Sequence, residues 1–283
     1  MPPETPTTPH PTPQQSRPDQ PSPSFAAGDV YGDGDETVSL RLPRLLCLHG
    51  GGTNAAIFRI QCRVLQRRLA PHFRFVFADA PFPSPPGPGV EPVFSQLGPF
   101  RSWLPKLGQT DPPDREGVRK IDECIAAAVR ADDARGASGS VVGLLGFSQG
   151  AKVAASLLLR EQQSIGDSNK GDGGGAAKER GYRFAVLLAG RGPLFVVGGH
   201  LEPPFNLGEE GRKMRLQLPT IHVHGLRDSR LEMHRHLLRE WCQPGTTRLV
   251  EWDGNHRVPI KSQDVSAVVA EVMQVATSLG LMS

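Results

Sequence analysis

The stretch from Val141 to Ala155, Val-Val-Gly-Leu-Leu-Gly-Phe-Ser-Gln-Gly-Ala-Lys-Val-Ala-Ala, constrains this chain more than any other. An apolar run rich in Val and Leu stops at Gly146-Phe147-Ser148-Gln149-Gly150, and an Ala-rich segment begins at once. Such a pattern predicts a strand, a sharp turn and a helix, the context that a G-x-S-x-G nucleophile elbow requires. The spacing has a steric reason: a side chain two positions before or after the serine would collide with the backbone of so tight a turn. Gly146 and Gly150 fill those two places. Ser148 is therefore the candidate nucleophile, and the amide of Gln149, at the helix N-terminus, is a candidate donor to a developing oxyanion. An ordinary glycine-rich turn is the competing reading. In a chain with 32 glycines the motif needs its context.

That context is a succession of short buried strands alternating with helical patterns. Strands are predicted at 44–49, 73–78, 141–147, 182–190, 220–225 and 248–252, and helices at 55–69, 115–130, 153–160, 231–241 and 263–279. This alternation implies an α/β fold with a mostly parallel central sheet and helices on both faces.

The first strand runs into His49-Gly50-Gly51-Gly52-Thr53-Asn54, a glycine loop that opens a helix. Glycines there let backbone amides approach a reacting oxygen, so Gly51, with Gly52 close behind, is the second candidate oxyanion donor. A phosphate-binding loop is the competing reading, a weak one because the Lys-Ser/Thr ending and the G-x-G-x-x-G spacing are both missing. The second strand ends in a Pro-rich segment, 79–89, that is expected to be a long loop. Phe82, Phe100 and Trp103 lie in or just beyond it, and either line an acyl pocket or pin the loop to the sheet.

Two further strand ends complete the constellation. Asp228 follows the strand 220–225, and His256 follows the strand 248–252. The chain order Ser148, Asp228, His256 is the serine, acid, histidine order of α/β-hydrolases. His256 would take the proton of Ser148, and Asp228 would fix its tautomer and stabilise its charge. Asp253 is a rival acid, expected instead to shape the turn before His256, while His49, His222 and His224 are expected to be packing residues.

Composition narrows the remaining possibilities. A formal charge of +3, with no basic stripe interleaved with aromatics, argues against nucleic acid as a partner. No run approaches the ~20 apolar residues of a membrane span, and no signal-peptide pattern opens the chain, so a cytoplasmic enzyme is expected. The four cysteines lack metal or redox spacing and read as buried free thiols; neither a metal nor a cofactor is implied. Residues 1–38 are expected to be a disordered Pro-rich tail, residues 39–283 the catalytic domain, and residues 164–181 a mobile insertion within it.

Five stations together resemble the FSH1-type serine hydrolases: 48–61, 79–83, Gly98–Trp103, Gly146–Gly150 and Gly254–His256. Within that family they are most similar to the fungal LovG-like thioesterases of polyketide biosynthesis. The resemblance covers roughly residues 44–280; the tail and the insertion lie outside it. It implies an α/β-hydrolase fold, with Ser148, Asp228 and His256 as the triad. It also implies a trans-acting thioesterase that meets the carrier domain of a polyketide synthase and hydrolyses its acyl thioester. The alternatives are a general carboxylesterase acting on oxyesters and, from another class, an inactive hydrolase-fold binding scaffold.

Overall fold

The computed structural model describes residues 36–106, 113–168, 181–195 and 215–282. Among the described residues six strands form one parallel sheet: β1 (Arg44–Leu48), β2 (Arg74–Ala78), β5 (Val141–Phe147), β6 (Phe184–Leu188), β7 (Thr220–Gly225) and β8 (Thr247–Trp252), in the order β2-β1-β5-β6-β7-β8. A separate two-residue antiparallel ribbon joins β3 (Phe82–Pro83) to β4 (Arg101–Ser102), with the short helix α3 (Glu91–Phe94) between them in the chain.

Period-2 alternation divides the strand side chains between two cores, which is why the strands read as unbroken apolar runs. Leu46, Leu48, Leu144 and Leu187 face one core together with Val118, Ile121 and Ile125 of α4 (Arg115–Asp133) and Val153 to Leu159 of α5 (Gln149–Ser168). Leu45, Cys47, Leu145 and Val186 face the other core. There they meet Phe58, Cys62 and Leu65 of α2 (Ala55–Leu69) and Val265, Val268 and Val272 of α7 (Ser262–Ser278). The fold is therefore the expected one, a parallel sheet covered on both faces.

The topology also decides where chemistry can sit. The chain runs from β1 outward to β2, then returns to place β5 on the other side of β1. Loops leaving β1 and β5 thus diverge at a topological switch point, where open α/β sheets form ligand crevices at the carboxyl ends of their strands.

Three boundaries differ from the sequence expectation. The ordered body starts before residue 39: Glu36–Ser39 form a helical turn, α1, and Ser39 is buried with its hydroxyl taking a bond from Arg74 Nη1 at 3.1 Å. Arg74 in turn donates to Asp132 at 2.7 to 3.0 Å, so a buried ion pair at the end of α4 fixes this edge. Second, α5 continues to Ser168, past the expected start of the insertion at Ser164. An established helix adds residues without needing an apolar face, and Gln162 ties this end to the segment before β7 through Arg215 and Gln217. Third, the predicted helix 231–241 is α-helical only over α6 (Leu231–His236) and continues as a π-helical turn over Leu237–Trp241. Residues 1–35 of the expected tail and 169–180 of the expected insertion lie outside the described residues.

Candidate active site

Ser148 sits directly after β5, with φ of 53°, a left-handed conformation that L-residues adopt only under constraint. Its amide donates to Leu188 O at 2.8 Å, which pins the turn to β6. The flanking glycines are sterically required. A Cβ on Gly146 would fall against the Gly150 carbonyl, and one on Gly150 would strike the carbonyls of Leu48 and His49.

Ser148, Asp228 and His256 come from three different strand ends and meet. His256 Nε2 lies 2.9 Å from Ser148 Oγ, and His256 Nδ1 lies 2.6 Å from Asp228 Oδ2. The carboxylate also accepts the Arg230 amide at Oδ1, 2.9 Å away, and His234 Nε2 at Oδ2, also at 2.9 Å. Burial opposes ionisation of Asp228, but the Arg230 amide and the two imidazole donors outweigh it and hold the carboxyl below its usual range. Burial pushes His256 down, and the hydrogen bond and charge of Asp228 only partly restore it, so the imidazole is neutral at pH 7 and free to accept a proton. Asp253, the rival acid, is exposed and paired with Arg227 at 2.8 Å.

His234 was not singled out by sequence reasoning. It is wholly buried, on the core-facing side of α6. A histidine at that position of a short helix is the only sequence signal it offers. The other three core histidines are buried as expected. His49 donates from Nδ1 to Gly50 O at 2.8 Å and accepts the Ala80 amide at Nε2, 3.0 Å away, a neutral tautomer, with burial lowering its pKa to about 4.

The two expected oxyanion donors occupy loops that touch. A Cβ on Gly50 would lie 3.7 Å from Ser148 Cβ, so the glycine loop backs directly onto the elbow. The Gly52 amide is taken by Arg101 O at 2.8 Å, whereas the amides of Gly51 and Gln149 have no acceptor among the described residues. Gly51 is thus the better placed of the two loop glycines. The Gln149 side chain was not anticipated: its Oε1 accepts both Ser102 Oγ at 3.0 Å and the Trp103 amide at 2.7 Å. Trp103 Nε1 then donates to His49 O at 2.8 Å. One residue therefore clamps the elbow to the glycine loop.

That contact corrects one of the pocket assignments. Trp103 is fully buried and has no surface to offer an acyl chain, so its ring pins the loop. Phe82 and Phe100 are half-buried and retain exposed surface. Ligand atoms of Asp228, His234 and His256 lie within 4.8 Å of one another. Two donors on a tetrahedral zinc sit roughly 3.4 Å apart, and these nitrogens lie only 2.6 and 2.9 Å from the shared oxygen. The cluster is therefore a hydrogen-bonded chain. The cysteines offer no rival nucleophile: Cys47, Cys62 and Cys242 are buried, and burial raises the pKa of all four thiols, to about 11 for Cys242. No helix among the described residues is long and apolar enough to cross a membrane.

The model of the serine hydrolase (FSH1) family matches residues 38–268. A probable esterase of Aspergillus terreus is 55% identical over 262 residues, covering 90% of this chain and 97% of its own length. The probable esterase afoC of Emericella nidulans is 50% identical over 274 residues, covering 84% and 92%. Among solved structures, SOBER1 of Arabidopsis thaliana is 16% identical with a TM-score of 0.48, over 82% of this chain and 98% of its own.

Proposed function

Because this chain belongs to the FSH1 serine hydrolase family, we propose that Ser148, Asp228 and His256 are its catalytic triad, and that its substrate is an acyl thioester carried by a polyketide synthase. The observation that carries the triad is the unbroken hydrogen-bond chain of 2.9 and 2.6 Å from Ser148 Oγ through His256 to Asp228. The thioester and the carrier rest on the resemblance of the five sequence stations to fungal polyketide thioesterases.

The geometry supports a two-stage acyl transfer. His256 Nε2 takes the Ser148 proton as Oγ adds to the acyl carbonyl, and the oxyanion is received by the Gly51 and Gln149 amides. His256 then protonates the departing sulfur, leaving an acyl-Ser148 ester. Water enters, His256 takes its proton, and the second tetrahedral species collapses to a carboxylic acid and free Ser148. Asp228 stays ionised and compensates the imidazolium formed in each half. Phe82 and Phe100, half-buried beside the Pro-rich loop, are the side chains proposed to meet the acyl chain.

The test compares acyl release from a carrier-bound thioester with turnover of a small oxyester bearing the same acyl group. Carrier release at least tenfold faster in kcat/KM, and lost in Ser148→Ala, is the expected result. Turnover of the small ester alone would replace this reading with that of a general carboxylesterase, which the names of the relatives favour.

A further inference from the structure

His234 is held between two groups that can only accept. Its Nδ1 lies 2.9 Å from the carbonyl oxygen of Gly190, and its Nε2 lies 2.9 Å from Oδ2 of Asp228. A neutral imidazole has one donor and one lone pair. Either neutral tautomer would therefore aim a nitrogen lone pair at an oxygen lone pair inside a fully buried site. Only the doubly protonated ring satisfies both contacts, and its charge is then compensated by the carboxylate it touches.

We propose that His234 is a positioning residue for the triad acid: it holds Asp228 as a buried imidazolium, and so sets the pH at which His256 begins to work. This rests on the triad reading above. The acid serves two imidazoles through one oxygen, Oδ2, so its negative charge is divided between them. The His234 and His256 rings are stacked with centroids 5.9 Å apart, and a standing cation at that distance opposes the charging of the second ring. The consequence is a base that stays deprotonated, hence active, to lower pH than a histidine paired with an undivided carboxylate.

The charged and titratable neighbours are few. Asp228 approaches from the β7–α6 loop, His224 from β7 with its ring 5.8 Å from that of His234, and His256 from the loop after β8. Arg230, at the start of α6, adds its charge against protonation of His256, while Glu251 of β8 and Arg235 of α6 act on His224 with opposite signs. Removing the charge of His234 takes away one of the influences that oppose protonation of His256, leaving burial and the charge of Arg230 against it and Asp228 in favour.

His234→Gln keeps a neutral donor for Asp228 and removes the charge. Its kcat/KM profile is expected to have its acid limb moved up by about one pH unit, with kcat at the alkaline plateau changed less than tenfold. If the acid limb stays in place while kcat/KM falls equally at every pH, His234 is a packing residue and the proposal fails. A second measurement needs neither a variant nor turnover. Nitrogen-15 NMR of the wild-type imidazoles at pH 7.5 should show both ring nitrogens of His234 protonated, and a single protonated nitrogen would overturn the proposal. Activity that survived Ser148→Ala would instead sink the triad reading, so the two failures are distinct.

Discussion

Ser148→Ala is expected to lower turnover by about four to six orders of magnitude while leaving the thermal midpoint nearly unchanged. Loss of Oγ removes the atom that would be acylated, together with one half-exposed hydrogen bond to His256, and touches neither core. The backbone at this position is already left-handed, and alanine meets the same constraint there as serine. Residual activity should come from the Gly51 and Gln149 amides acting on a water attack. His256→Ala should fall within about tenfold of the serine variant, because the two groups act as a unit and their losses do not add. Asp228→Asn should also lose several orders of magnitude, whereas Asp253→Asn should cost less than about threefold, since its carboxylate is exposed and faces Arg227. Steady-state kinetics on the four variants, with circular dichroism melts, checks all of this together.

A second large effect is expected in stability, below neutral pH. Burial lowers His49 to about 4, His222 to about 3 and His224 to about 4, with neighbouring histidine charge adding to the shift for the last two. In the unfolded chain each titrates near its ordinary value of about 6.5. Above that value neither state binds the proton and nothing is lost. Between about 6.5 and 4 the unfolded chain binds protons that the folded state refuses, so stability falls as pH falls. Three such groups together remove of order 5 kcal/mol by pH 5, a large part of the ~5–15 kcal/mol that holds a typical domain folded. His224 has no partner for either ring nitrogen among the described residues, and His222 none for Nδ1. His224→Phe should therefore leave stability at pH 7.5 within about 1 kcal/mol and flatten the decline toward pH 5. Chemical denaturation at pH 7.5, 6 and 5 measures the slope, and a wild-type stability constant over that range would contradict the assignment.

Much of the fold is legible from sequence because a parallel sheet buried on both faces leaves a continuous apolar signature. β5, β7 and α2 fall at the predicted residues, and β1, β2, β6 and β8 differ by one or two at their ends. The meeting of Ser148, Asp228 and His256 is also legible, since each residue is pinned to a strand end and the chain order restricts how they can converge. His234 is not. Its importance comes from facing Asp228 across the start of α6, and a lone histidine in a helix of six residues carries no periodic signal. Trp103 shows a different limit. Sequence reveals a large ring beside the site but not which way it points, and here the Nε1 bond to His49 O turns it inward. The ends of α1 and α5 rest on polar contacts between distant residues, such as Ser39 with Arg74 and Gln162 with Gln217, which join residues 35 and 55 positions apart. No local pattern records such pairs.

In the proposed reaction Ser148 carries the acyl group between the two halves. Mixing the wild-type enzyme with an excess of acyl thioester, quenching in acid within milliseconds and mapping peptides by mass spectrometry tests it directly. A transient adduct of one acyl group is expected on the peptide containing Ser148, formed and lost at rates compatible with turnover and absent from Ser148→Ala. Turnover with no adduct at any time, or with the acyl group on a different side chain, would contradict it.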